Sequence, residues 1–95
     1  MKYMIYGDIH WTRLPLQNPL IMGKWIYFEG RPEFETEDLN EALTVLKRDF
    51  ADKVYRIPEG EGTEYVLYYV VNSNAELIAA LDFDGNVLID EKQKG

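Results

Sequence analysis

The densest apolar stretch runs from Glu64 to Asp90, EYVLYYVVNSNAELIAALDFDGNVLID, and the rest of the chain is organised around it. Within Glu64–Val71, Tyr65, Leu67, Tyr69 and Val71 alternate with Val66, Tyr68 and Val70. In a strand that alternation sends the two sets to opposite faces, and here both sets are apolar. Such a strand needs cover on two sides. Asn72-Ser73-Asn74 predicts a turn, since Asn tolerates positive φ and Ser bonds locally. Glu76–Phe83 is then a returning strand, with Ala79 and Ala80 leaving room for close approach. Asp84-Gly85-Asn86 turns the chain again, and Val87–Asp90 is a short last strand, so the chain ends in a three-strand meander.

Upstream, one segment has helical periodicity. Leu39, Ala42, Leu43, Leu46 and Phe50 fall on one stripe, with Asn40, Glu41, Thr44, Lys47 and Arg48 toward water. Thr36 or Asp38 can cap it, Asp38 and Glu41 have capping-box spacing, and the helix should stop near Ala51. Further strands are expected at Lys2–Tyr6, ended or bent by Gly7-Asp8, at Lys24–Glu29, and at Lys53–Ile57, closed by Pro58. His10 to Gly23 reads as irregular, with two prolines, yet it carries Trp11, Leu14, Leu16, Leu20, Ile21 and Met22. A loop that apolar either packs over something or waits for a partner. The fold class is therefore α+β: one amphipathic helix on an antiparallel sheet of five or six strands. Residues 1–95 form a single domain whose tail, 91–95, frays.

Charge and composition narrow the classes of function. The net charge of −7 argues against nucleic acid as a direct ligand, because phosphates require clustered Lys and Arg. Glu29, Glu33, Glu35, Glu37, Asp38 and Glu41 meet only Arg31, which makes either a solvated surface or a patch aimed at a basic partner. No cysteine is present, so a disulfide framework, a thiol nucleophile and a Cys-based zinc site are out. No signal peptide or membrane span is evident, and the expectation is a cytoplasmic protein, in the host cytoplasm if a phage encodes it. No cofactor motif is present. Seven Tyr and two Trp either fill a β-rich core or serve an interface, with Tyr68 and Trp11 the sharper interface candidates.

Two short motifs bear on chemistry. Gly7-Asp8-Ile9-His10 resembles the opening motif of calcineurin-like metallophosphoesterases, which implies Asp8 and His10 as metal ligands at a strand tip. That family also needs later histidines, and His10 is the chain's one histidine. Asp82-Phe83-Asp84-Gly85-Asn86 resembles the nucleophile motif of haloacid-dehalogenase-type phosphatases, which implies Asp82 as nucleophile and Asp84 as acid/base. Asn86 stands where that family has Thr or Ser, and only nine residues follow it. The same segment half-fits a calcium loop, but Val87 replaces the sixth-position Gly and Gln93 the twelfth-position Glu. Both motifs read better as local structure: a strand end with a turn Asp, and a hairpin turn.

Phe34-x-Thr36, then Ala42 and Leu46, then VYRI, resembles small phage and mobile-element domains, and Leu43–Leu88 is similar to PepSY-like domains. Many such domains act by binding or inhibiting another protein. The resulting expectation is a non-enzymatic interaction module, an inhibitor or regulator of the phage anti-defence kind. It would occlude a basic or nucleic-acid-binding partner surface through Trp11, Leu14, Leu16, Met22, Glu29, Glu33, Glu35, Glu37, Asp38 and Tyr68. The second reading is a homodimeric accessory subunit using an uncovered sheet face, and the third a metal-dependent phosphoesterase.

Overall fold

A computed structural model describes residues 1–13, 18–24, 26, 28 and 30–90, with the side chains of His10 and Glu59 outside the description. The elements run β1 (Tyr3–Thr12), α1 (Pro19–Gly23), β2 (Phe34–Thr36), α2 (Leu39–Phe50), β3 (Tyr55–Glu59), β4 (Gly62–Asn72), β5 (Leu77–Leu81) and β6 (Val87–Ile89). The fold is α+β, as the residue pattern predicts. All pairings are antiparallel, in the order β2-β1-β4-β5-β6. β4 is the hub. Along one edge it pairs with β1 from Thr63 to Asn72. Its other edge is shared, β3 taking Gly62–Val66 and β5 taking Tyr69–Val71.

α2 begins and ends where its sequence requires. The Asp38 carboxylate accepts from the amides of Asn40 (2.9 Å) and Glu41 (3.4 Å), while the Asp38 amide donates to Thr36 Oγ1 at 3.1 Å. Asp38 is thus the cap, and Thr36 braces it. Ala42, Val45, Leu46 and Phe50 are buried against Ile5, Val70, Ile78, Ala79 and Leu81 of the sheet. Leu39 and Leu43 pack at the margin of this cluster. Lys47, near the helix C-terminus, donates to the Gly85 carbonyl at 2.6 Å and ties the helix to the β5–β6 turn.

The second apolar face is also covered. Tyr65, Leu67, Tyr69, Val71, Leu77 and Ala80 form a separate buried cluster on the side away from α2. Leu20 and Met22 of α1, together with Ile26 and Phe28, pack on it. Gly23 lets α1 lie this close, because a Cβ there would stand 2.8 Å from Tyr69 Cε1 and 3.0 Å from Leu77 Cδ2. At the end of α1, Lys24 Nζ lies 3.8 Å from an Asp90 carboxylate oxygen. Residues 18–24, with Ile26 and Phe28, therefore lie as a lid over this face of the sheet.

Several boundaries depart from expectation. β1 does not stop at Gly7 but continues to Thr12, so Trp11 belongs to a strand and not to a loop. Pro58 lies inside β3, opposite Thr63, which an edge strand tolerates. Ile26 and Phe28 have no strand pairing among the described residues; Trp25, Tyr27 and Glu29 of that expected strand lie outside them, as does the tail 91–95. Positive φ after β4 falls on Ala75 (61°) and not on an Asn. Asn72 instead braces that turn, its side-chain Oδ1 accepting from the amides of Asn74 (2.9 Å) and Glu76 (3.0 Å). A β-bulge between the Val70 and Val71 pairings leaves Ile78 and Ala79 both facing α2.

Tyr69 is fully buried, and its hydroxyl has no hydrogen-bond partner among the described residues. Burial first, and then the Asp8 and Tyr65 charges, push its ionisation well above the ordinary phenol range. Tyr65 and Tyr68 are raised as well, mainly by burial. A proton held more tightly in the folded state gives stability that is complete below the unfolded phenol pKa of about 10 and fades as pH rises through the folded values. Chemical denaturation should therefore show stability falling above about pH 10, and Tyr69→Phe should make that fall shallower. Near neutrality the same variant should be as stable as the parent or up to about 2 kcal/mol more so, since an unmet buried hydroxyl is removed. A clear destabilisation by Tyr69→Phe would show that the hydroxyl is satisfied.

Candidate functional site

Strand and helix lengths do not match, and the candidate site follows from that. β4 has eleven residues, about 36 Å of strand, whereas the twelve residues of α2 span about 18 Å. α2 therefore covers about half of the face on which it lies. The remaining half is an arm made of β3, the first part of β4 and the second part of β1. On its α2-facing side, register places Tyr55, Val66 and Ile9 in one row and Ile57, Glu64 and Trp11 in the next. Ile9 is 71 % exposed, Ile57 51 %, Trp11 45 % and Tyr55 39 %. Four large apolar or aromatic side chains thus share one open surface.

Between the arm and the end of α2 lies a cleft of about 450 Å³, lined by Gly7, Asp8, Ile9, Glu33, Lys53, Tyr55, Val66 and Tyr68. That volume is within the range of small-molecule or side-chain pockets. Gly7 shapes the floor, because a Cβ there would come within 2.8 Å of Tyr68 Cε1, so the Tyr68 ring lies across the glycine. Its other neighbour is Phe50, with ring centroids 4.8 Å apart and planes tilted by 40°. Glu33 is fixed beside β1 by its amide, which donates to the Ile5 carbonyl at 2.8 Å. Lys53 stands on the β3 side, its ammonium 5.1 Å from the Phe50 ring centroid. Burial raises the ionisation of the Tyr68 hydroxyl, and the Glu33 carboxylate and the Tyr55 phenol add to the rise.

The residues expected to meet a partner are distributed unevenly. Trp11 lies on the exposed arm, with Arg13 5.6 Å from its ring centroid. Tyr68 is half-buried and forms the cleft floor; Glu33 forms a wall. Met22 is half-buried in the lid over the opposite face and is not part of this surface. Glu35 is exposed and pairs with Lys2 at 3.3 Å, Asp38 caps α2, and Glu37 is exposed. Leu14, Leu16 and Glu29 lie outside the described residues. Sequence pattern alone did not single out Ile9, Tyr55 and Ile57; the signal available was a strand pair longer than the helix that should cover it.

Neither chemical motif is assembled as a site. Asp8 and His10 are not at a strand tip: they sit within β1, opposite Leu67 and Tyr65. The Asp82 carboxylate accepts from the amides of Asp84 (2.9 Å) and Asn86 (2.8 Å), closing the β5–β6 hairpin, and Asp84 is exposed. Among the described residues no group of three or more metal-ligating side chains could hold an ion. No helix among them is long and apolar enough to cross a membrane.

The chain matches no family model, no curated protein and no solved structure. The role of Asp82 can be checked directly. Asp82→Ala should destabilise the protein by about 1–2 kcal/mol through two lost acceptor contacts, read by denaturant unfolding. Mg²⁺, Mn²⁺ or Ca²⁺ should leave the melting temperature of the parent unchanged. A cation-dependent rise that disappears in Asp82→Ala would make this carboxylate a ligand.

Proposed function

We propose that the protein is a non-enzymatic interaction module that docks a segment of another protein on the open arm of its sheet. The carrying observation is the exposure of Ile9, Trp11, Tyr55 and Ile57 on one face around buried Val66. Solitary exposed apolar residues are ordinary, but a cluster on a rigid, paired strand surface is the kind that marks an interface. The two rows lie about 7 Å apart and the three strands span about 10 Å. That is far below the roughly 800 Å² per partner of a standard interface, so it suits a short segment and not a broad domain face.

Charge supports a basic partner. The chain carries −7, and Glu33, one of the exposed acids just before and within α2, lines the cleft that borders the arm. A net acidic surface with a carboxylate beside the strip steers a cationic segment and sets orientation more than affinity. The same charge disfavours pairing two copies through this face. A basic or nucleic-acid-handling protein held in this way would have its cationic segment occluded, which is the action of an inhibitor or regulator.

The test is affinity capture with the full chain and with the Ile9→Asp/Ile57→Asp variant. Each side chain would bury about 1.5–3 kcal/mol of apolar surface. Losing both should weaken a discrete, basic partner by at least about 100-fold while the circular dichroism spectrum and unfolding midpoint stay close to the parent. Identical capture by parent and variant, or a partner with no basic segment, would overturn the reading.

A further inference from the structure

The open arm borders a cleft whose chemistry is more particular than the apolar strip around it, and the occupant assigned to that cleft rests on the docking reading. Its lining offers aromatic and aliphatic surface from Tyr68, Val66 and Ile9, with Glu33 and Lys53 among its charged groups. Glu33 is beside β1, and Lys53 is on the approach to β3, already placed over the Phe50 ring. A cationic guest is attracted by Glu33 and repelled by Lys53, so it favours the carboxylate. The Tyr68 and Tyr55 phenols line the same cleft as Glu33. A planar cation with an aliphatic stem satisfies all of these groups at once. It can stack on an aromatic ring while its N–H fork meets a carboxylate, and its stem can rest on Val66 and Ile9.

We propose that this cleft binds an arginine side chain of the docked segment, its guanidinium held by the Glu33 carboxylate within the aromatic lining of Tyr68 and Tyr55. A lysine is the poorer guest because its ammonium is more strongly hydrated and neither stacks nor forks. An acidic side chain would meet Glu33, and a purely apolar one would leave the carboxylate unpaired over an apolar floor. Among the exposed acids that precede α2, Glu33 is the one that lines the cleft, which gives it a role its sequence neighbours do not share.

The experiment is an NMR titration of the full-length chain with N-acetyl-arginine amide, beside the lysine, glutamine and glutamate analogues. The arginine amide should shift the backbone amides of Gly7, Tyr55 and Tyr68, with the lysine analogue at least about fivefold weaker. Glu33→Gln should weaken the arginine response by about fivefold or more, whereas Glu37→Gln should leave it unchanged. Equal responses to the arginine and lysine amides, shifts that survive Glu33→Gln, or no shifts at these amides would each overturn the proposal. Ile57→Asp separates this result from the docking reading, because Ile57 lies outside the cleft. Partner capture lost in Ile57→Asp together with an inert cleft would defeat the arginine site alone. An arginine-responsive cleft with capture unaffected by Ile57→Asp would defeat the docking reading alone.

Discussion

The ladder between β1 and β4 is the constraint on which the other contacts depend. It pairs Tyr3–Thr12 with Thr63–Asn72 without interruption, and each crossing carries one side chain from each strand to a given face. Because the ladder is longer than any other element, it defines two faces of unequal fate. α2 and the lid around α1 each cover the end near Val70 and Tyr69, from opposite sides. Toward Trp11 and Glu64 the ladder runs on past the helix, and the exposed arm is what remains. Exposure here comes from a length mismatch and not from an unusual composition.

The strongest local patterns in the sequence were legible because they need only near neighbours. Asp38 as a cap, the stripe ending at Phe50, and the two faces of β4 all follow from spacing. What could not be read needed information from distant residues. Gly7 looks like a strand breaker until the Tyr68 ring, far along the chain, is seen to lie across it. Leu20 and Met22 gave no sign of whether they would fold back, and Gly23 against Tyr69 and Leu77 shows the close approach that lets them. Ile78 and Ala79 share a face only because of the bulge, which simple alternation cannot anticipate. The acidic run before α2 looked uniform, yet Asp38 caps, Glu35 pairs with Lys2 and Glu33 lines the cleft.

The chemical motifs were misleading for a related reason. A short Asp-containing pattern is shared by catalytic strand ends and by ordinary turns, and only surrounding groups distinguish them. Around Asp82 those groups are backbone amides, which account for its carboxylate as an Asx-type brace. Around Asp8 the neighbours across the ladder are aromatic and aliphatic strand residues. The candidate site instead centres on the face of β1 where Ile9 and Trp11 point outward and Tyr68 closes the cleft.

The pairing of β1 with β4 also governs how the chain can be made. Partners in this ladder are more than fifty residues apart in sequence, so β1 leaves the ribosome well before the strand that will hold it. At typical synthesis rates of about 5–20 residues per second, that interval lasts seconds. α2 and the short β1–β2 pairing can form meanwhile, but the sheet cannot be completed until its hub β4 has emerged. Folding should therefore be governed by a late, non-local closure, slow for a chain of this size. During that wait the YMIY segment of β1 has only the three-residue β2 to pair with and its other edge stays open, which makes the nascent chain a state in need of chaperone protection.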